Sequence, residues 1–253
     1  MDTRERDGRP APAAGGCEAF QDRIVTVVGG TSGIGAAVGA RFAQMGARVT
    51  VAGLRADEVP APLAEVATVV DLDVTASGDL EDFFAGFGEL HVLVNAAGVI
   101  RRGEEYGTEV FADVLDVNLT GTMRGCVAAR PALKRAGGCV VNVASMLSFV
   151  GGPMVPAYSA SKGGIVALTR SLAVAWAADG IRVNAVAPGW ITTGLTAGLK
   201  TDPAQVERIT DRTPMGRWGE PADVAGAVAF LSGPDARFIT GAVLPVDGGY
   251  LAA

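Results

Sequence analysis

Seven short runs of apolar, mostly β-branched residues punctuate the chain: RIVTVV (23–28), ARVTVA (47–52), ATVVDL (67–72), HVLVNA (91–96), GCVVNVA (138–144), IRVNAVAP (181–188) and GAVLPV (241–246). Runs that are apolar on both faces and separated by helical patterns are what a parallel sheet covered on both sides requires. The helical patterns fall near 33–46, 78–87, 108–134, 158–178 and 221–232, with Gly at several of their ends. This order predicts an α/β fold, a single doubly wound domain over residues 21–253 with a seven-stranded parallel sheet and helices on both faces. After the second run, Pro60 and Pro62 interrupt any long helix, so that crossover is expected to be abbreviated. Residues 190–220 carry Trp190, Thr192, Thr193, Thr196, Met215 and Trp218 without steady periodicity, and are expected to form a functional loop over a substrate site.

Composition narrows what such a domain can do. With 253 residues, 49% of them hydrophobic, the chain can bury a substantial core. Residues 1–20 hold charge, Pro, Ala and Gly but no apolar stretch, which predicts a disordered tail and not a signal peptide. No run approaches the roughly 18 apolar residues of a membrane span, so a cytoplasmic protein is expected. A net charge of −6, with no basic cluster beyond Arg101–Arg102, provides no footprint for nucleic acid or an anionic membrane. The expected partner is a small molecule. Cys17, Cys126 and Cys139 are odd in number and widely spaced, as reduced thiols would be. His91 is the single histidine, which leaves no His-rich metal site to assemble and one possible base for a Ser-His-Asp triad. No metal is expected, and His91 reads as a surface or capping residue.

Two motifs carry chemistry. GGTSGIG (29–35) follows the first strand and opens the first helix, the context of a dinucleotide-binding turn. There Gly29 permits the tight turn, Gly33 lets the backbone approach a pyrophosphate, and Gly35 allows close helix packing; the helix N-terminus supplies N–H groups to the phosphates. In YSASK, Tyr158 and Lys162 stand four residues apart, side by side on one helical face. A phenol titrates near pH 10 in water, and an ammonium beside it favours the phenolate, so Tyr158 is expected to act as general acid and base with Lys162 lowering its pKa.

GGTSGIG, Asp73-Val74, NAAG (95–98), Asn118 in DVNLTG, Ser145 in NVASM, YSASK, RVNAVAPG (182–189) and VDGG (246–249) resemble, in order, the short-chain dehydrogenase/reductases, a family with the Rossmann fold. The resemblance implies a hydride transfer between a nicotinamide cofactor and a secondary alcohol or ketone. It implies that Ser145, thirteen residues before Tyr158, hydrogen-bonds the reacting oxygen. Lys162 would also hold the nicotinamide ribose, and Asn118 would anchor a water behind Lys162. The cofactor would lie against Gly29, Thr31, Ser32, Gly33, Ile34, Gly35, Leu54, Arg55, Asp73, Val74, Asn95, Ala96, Gly98, Tyr158, Lys162, Pro188, Gly189, Ile191 and Thr193. Val28 and Ala96 depart from the family pattern at positions that chiefly brace the sheet and the cofactor loop.

The residue that would choose between NAD and NADP is Gly53, which neither attracts a 2′-hydroxyl nor repels a phosphate. Arg55 is the sole basic candidate nearby, and one exposed Arg is too weak for a strong NADP preference, so NAD is expected ahead of NADP. VIRR, ASMLSFVGG, VPAYSASK and GRWG are similar to 2-dehydro-3-deoxy-D-gluconate 5-dehydrogenases and other sugar-acid dehydrogenases. Met146, Leu147, Phe149, Met154 and Trp190 would line the substrate pocket, and they suit a cyclic hydroxy compound as well as a polyol. Two alternatives stand: a 3-oxoacyl-carrier-protein reductase, and a cofactor-binding regulatory protein without chemistry. The resemblance also implies a homo-oligomer, a tetramer, paired through the helices near 108–134 and 158–178 together with the C-terminal strand and tail.

Overall fold

In the computed structural model, residues 19–76 and 78–253 are described. Cys17 and nearly all of the expected tail lie outside them. Phe20 already belongs to the core, 4% exposed and edge-on to Phe42 at 4.9 Å.

The seven runs form seven strands: β1 (Ile24–Val28), β2 (Arg48–Gly53), β3 (Thr68–Asp71), β4 (Val92–Asn95), β5 (Cys139–Val143), β6 (Arg182–Pro188) and β7 (Val243–Val246). All pairings are parallel and the sheet order is β3-β2-β1-β4-β5-β6-β7. Alternate side chains serve opposite faces. Val25, Val27, Val51, Val94 and Val141 pack on one side, where α1 (Gly33–Gln44) supplies Phe42. Val28, Leu93, Val140 and Val183 pack on the other with Leu80, Leu133 and Trp176. Those three come from α3 (Asp79–Ala85), α5 (Gly121–Ala136) and α6 (Pro156–Trp176). A fully buried Leu such as Leu93 contributes roughly 2 kcal/mol through the water it no longer orders.

Three connections are informative. Between β2 and β3 the proline-bearing segment makes only a 3₁₀ turn and α2 (Ala61–Ala64), the short crossover expected. The helix expected over 108–134 is a continuous rod in three parts: α4 (Thr108–Leu115), a π-helical turn at Asp116–Thr120, and α5. The segment 190–220 is not all irregular. It contains α7 (Ala197–Lys200) and α8 (Pro203–Arg212), followed after a turn by α9 (Pro221–Ser232). Helix α8 buries only Ile209 and is otherwise largely polar, so few apolar residues mark it in the sequence. Its start was written differently, as Asp202 accepting the Ala204 N–H at 3.0 Å with Pro203 in the first helical position.

His91 is a bracing residue. Its Nδ1 accepts the Ile24 N–H at 3.1 Å, tying the start of β4 to the start of β1, and partial burial holds its pKa below the ordinary histidine value. Among the described residues no helix is long and apolar enough to cross a membrane, and no three His, Cys, Asp or Glu side chains gather as a metal site.

Candidate active site

The strand order reverses direction between β1 and β4, the place where open sheets of this kind take a ligand at their carboxyl edge. Both loops that leave it are pinned: the Ala96 N–H donates to the Val28 carbonyl at 2.7 Å, and the Gly29 N–H to the Ala52 carbonyl at 2.7 Å. These main-chain bonds survive the Val28 and Ala96 departures. Gly29 has φ +81°, and a Cβ there would fall 2.2 Å from the Ala97 nitrogen; one at Gly35 would fall 2.0 Å from the Gly29 carbonyl. No side chain fits at either place. Ser32 begins α1 without a side-chain cap, and the first turn carries no acidic residue, which leaves the positive pole of a 12-residue helix open to an anion. Across from Gly33, the Thr193 methyl bounds this space from the β6 side.

The catalytic candidates meet beside it. Ser145 follows β5 and caps the 3₁₀ turn Met146–Ser148, its Oγ accepting the Leu147 N–H at 3.1 Å. Tyr158 stands in the first turn of α6 and Lys162 one turn later. The Lys162 ammonium donates to the Val143 carbonyl at 2.7 Å and lies 5.6 Å from the centre of the Tyr158 ring. Burial pushes the Lys162 pKa down to about 8. Burial also pushes the Tyr158 phenol above its ordinary value, the Ser145 hydroxyl pulls it back, Glu105 adds to the rise and Arg102 opposes it. The expectation that Lys162 lowers the Tyr158 pKa is therefore not met in the protein alone. Desolvation is the largest cause at both groups.

Asn118 sits in the π-helical turn, fully buried. Its side chain accepts from the Val99 N–H at 2.8 Å and donates to the Val99 carbonyl at 3.0 Å and to Ser161 Oγ at 3.1 Å. Its main-chain carbonyl accepts the Thr122 hydroxyl. Such π-turns recur at functional sites because they re-aim backbone groups. Asn118 thus links the loop after β4 to the helix that bears Tyr158.

Of the other expected cofactor residues, Asp73 is held as an anion by the Thr75 N–H and hydroxyl, at 2.9 and 2.7 Å. Val74 packs against Gly121. Thr31 turns its hydroxyl onto the Leu54 carbonyl at 3.0 Å, fastening the glycine loop to the end of β2. Asn95 directs its amide into the core, donating to Asn142 Oδ1 at 2.9 Å, so its side chain braces β4 against β5. Ile34 packs against the core, and Ile191 is buried and bridges to Gly219. Gly189 follows Pro188 and donates to the Val246 carbonyl at 3.0 Å. Arg55, in left-handed backbone, pairs with Glu58 at 2.9 Å. Of the substrate candidates, Met146 is buried, Leu147 is half-buried, and Phe149 and Met154 are exposed. Trp190 packs on Trp218 at 5.8 Å and lines a cavity of about 380 Å³ with Thr213, Met215 and Asp247. A second concavity, of about 510 Å³, lies near Arg48 and Thr68 at the opposite edge of the sheet, away from these groups.

The site fits a nicotinamide dinucleotide. Among the described residues the Lys162 ammonium has one hydrogen-bond partner, the Val143 carbonyl, and so retains donors for ribose hydroxyls. Sequence reasoning missed Glu105, a carboxylate only 1% exposed that binds the Tyr158 amide at 2.8 Å. Nothing in its local pattern, GEEYG, marks it as buried.

Comparison with known proteins agrees. The family described as enoyl-(acyl carrier protein) reductase matches residues 28–251. The cis-4-hydroxycyclohexanecarboxylate dehydrogenase of Sinomonas cyclohexanicum is 41% identical, covering 93% of this chain and 99% of its own. The 2-dehydro-3-deoxy-D-gluconate 5-dehydrogenase of Bacillus subtilis (strain 168) is 36% identical, covering 92% and 96%. A candidate NAD(P)-dependent gluconate 5-dehydrogenase of Beutenbergia cavernae, solved with NADP at low occupancy, is 38% identical and superposes with a TM-score of 0.88 over 94% of this chain and all of that one. With the glycine turn, the Ser-Tyr-Lys cluster and the sheet order in place, the chain belongs to the short-chain dehydrogenase/reductase family and is an NAD(P)-dependent oxidoreductase of secondary alcohols.

Proposed function

We propose that the substrate is a hydroxy acid, a sugar acid or a ring alcohol bearing a carboxylate, oxidised at a secondary carbinol. The observation that carries this is the proximity of Ser145, Tyr158 and Lys162, with Arg101 and Arg102 on the segment whose Glu105 binds the Tyr158 amide. Arg101 and Arg102 are exposed, and among the described residues neither forms a salt bridge, whereas Arg55, Arg124, Arg130 and Arg217 do. The charge of Arg102 opposes the rise of the Tyr158 pKa, which supports a role for this cation toward an acidic substrate. The relatives named for a cyclohexanecarboxylate and a deoxygluconate act on acids of this kind.

In this reading Ser145 donates to the carbinol oxygen and Tyr158 removes its proton as the carbinol hydride leaves. The nicotinamide, when bound, supplies the hydride acceptor. Lys162 holds the cofactor ribose and keeps a positive charge beside the phenolate that Tyr158 needs. Asn118 fixes the loop behind Lys162 and anchors a water there.

NAD is favoured over NADP, because Glu58 engages Arg55, the basic residue expected beside the adenosine ribose. We also infer a homotetramer. Met123 and Val127 on α5 and Val174 on α6 are exposed apolar groups, Val174 at 83%, on the two helices expected to pair. The free thiols of Cys126 and Cys139 support a reducing, cytoplasmic compartment. The function is tested with a panel of hydroxycyclohexanecarboxylates, gluconates, neutral secondary alcohols and a 3-oxoacyl thioester, followed by reduced-nicotinamide absorbance. Carboxylated alcohols should lead, and an Arg102→Ala change should raise KM for them alone. Preference for the thioester would favour the acyl-reductase alternative.

A further inference from the structure

We propose that Glu105 is a positioning residue for the catalytic tyrosine: its two carboxylate oxygens lock the loop after β4 to the first turn of α6. The inference rests on Tyr158 being the acid-base group. Glu105 Oε1 accepts the Arg101 N–H at 2.9 Å and Oε2 accepts the Tyr158 N–H at 2.8 Å. The side chain is 1% exposed, and an acidic group buried to that degree is costly unless each oxygen is matched.

The need for it follows from the helix start. Helix α6 begins with Val155 at the cap and Pro156 behind it, and Val155 has no oxygen to accept a free amide of the first turn. A carboxylate from elsewhere in the chain takes that place, where the helix's positive pole also favours it. The amide it takes is that of Tyr158 itself. The same two segments are laced by the Gly103 N–H to the Met154 carbonyl at 2.8 Å and the Tyr106 hydroxyl to the Pro153 carbonyl at 2.7 Å. Glu105 is the buried centre of this seam. Arg101 and Arg102 therefore ride on the segment that orients the phenol, so substrate-binding and proton-transfer groups share one clamp.

Glu105 also contributes to the field at the phenol, after burial and the Ser145 hydrogen bond. The charges that face Tyr158 are Glu105, which raises its pKa, and Arg102, which lowers it, with Lys162 beside the ring. Removing the Glu105 charge must therefore move the phenol titration to lower pH. A plain helix cap would move stability without moving this midpoint.

The test uses Glu105→Gln, which keeps the volume and one acceptor oxygen but loses the charge, and Glu105→Asp, which keeps the charge but loses the reach to both amides. Three quantities are read: the ultraviolet titration of Tyr158, as the difference from a Tyr158→Phe protein; NADH affinity by fluorescence; and kcat. In Glu105→Gln the phenol midpoint should fall and kcat should drop by about 10-fold or more, since small displacements of a reacting group carry penalties of that size. In Glu105→Asp kcat should drop with the midpoint near that of the parent, and NADH affinity should hold in both. A Glu105→Gln protein with an unmoved phenol midpoint or an unchanged kcat would overturn the proposal, whatever its melting temperature. If the Gln variant does not fold, an unchanged kcat in Glu105→Asp would do the same. If the parent protein oxidises none of the alcohols, the functional reading fails, while the phenol titration still decides the role of Glu105.

Discussion

The Lys162 ammonium lies 5.6 Å from the centre of the Tyr158 ring and donates 2.7 Å to the Val143 carbonyl, so it is anchored on β5 and not on the phenolic oxygen. Both groups are held by burial nearer their neutral forms, with Lys162 at about 8 and the Tyr158 phenol raised. The free protein thus carries a buried lysine that costs stability, a kind of group that clusters at functional sites.

That cost is visible in stability. The Lys162 pKa falls from 10.5 in the unfolded chain to about 8 in the fold, so the unfolded state binds more protons between those values and stability rises with pH through that window. Below pH 8 the penalty is fully present. Replacing Lys162 with Met should therefore change the melting temperature more favourably at pH 7 than at pH 10, relative to the parent. Equal changes at the two pH values would show that Lys162 is not strained by burial.

The proposed preference for NAD rests on the Arg55–Glu58 pair, which spans three residues at 2.9 Å and is largely exposed. An exposed pair of this kind is worth at most about 1 kcal/mol, so the preference for NAD should be modest. Glu58→Gln should raise kcat/KM for NADP several-fold by freeing Arg55, with little change for NAD. An NADP advantage in the parent that Arg55→Ala abolishes would show that Arg55 already reads the phosphate.

The expected tetramer can be tested through its apolar helix faces. Val127→Lys with Val174→Lys places charges on α5 and α6 at positions 51% and 83% exposed in the single chain. Light scattering should give a tetramer for the parent and smaller species for the double variant. A monomeric parent at micromolar concentration would contradict the assembly.

Much of this molecule was legible before any coordinates. Runs such as HVLVNA are apolar on both faces because β4 is central, and the short crossover was written in Pro60 and Pro62. The glycine turn was equally readable, since Gly29 and Gly35 stand where backbone meets backbone. What escaped reading depended on distant partners or on too few apolar residues. Helix α8 buries one residue, and Glu105 becomes a functional candidate only when the fold brings it against an amide 53 residues away. The sign of the Tyr158 shift escaped for a related reason. Spacing shows that a lysine is near, but not how deeply the fold buries the phenol.

The central claim, that Tyr158 moves the substrate proton in a nicotinamide-linked oxidation, is tested most directly by the turnover of Tyr158→Phe on whichever hydroxy acid the parent oxidises, measured alongside NADH affinity. The account predicts a loss of roughly 100-fold or more in kcat with NADH binding essentially intact, the size expected for removal of a general acid-base group. A Tyr158→Phe enzyme that turns over at the parent's rate would contradict it.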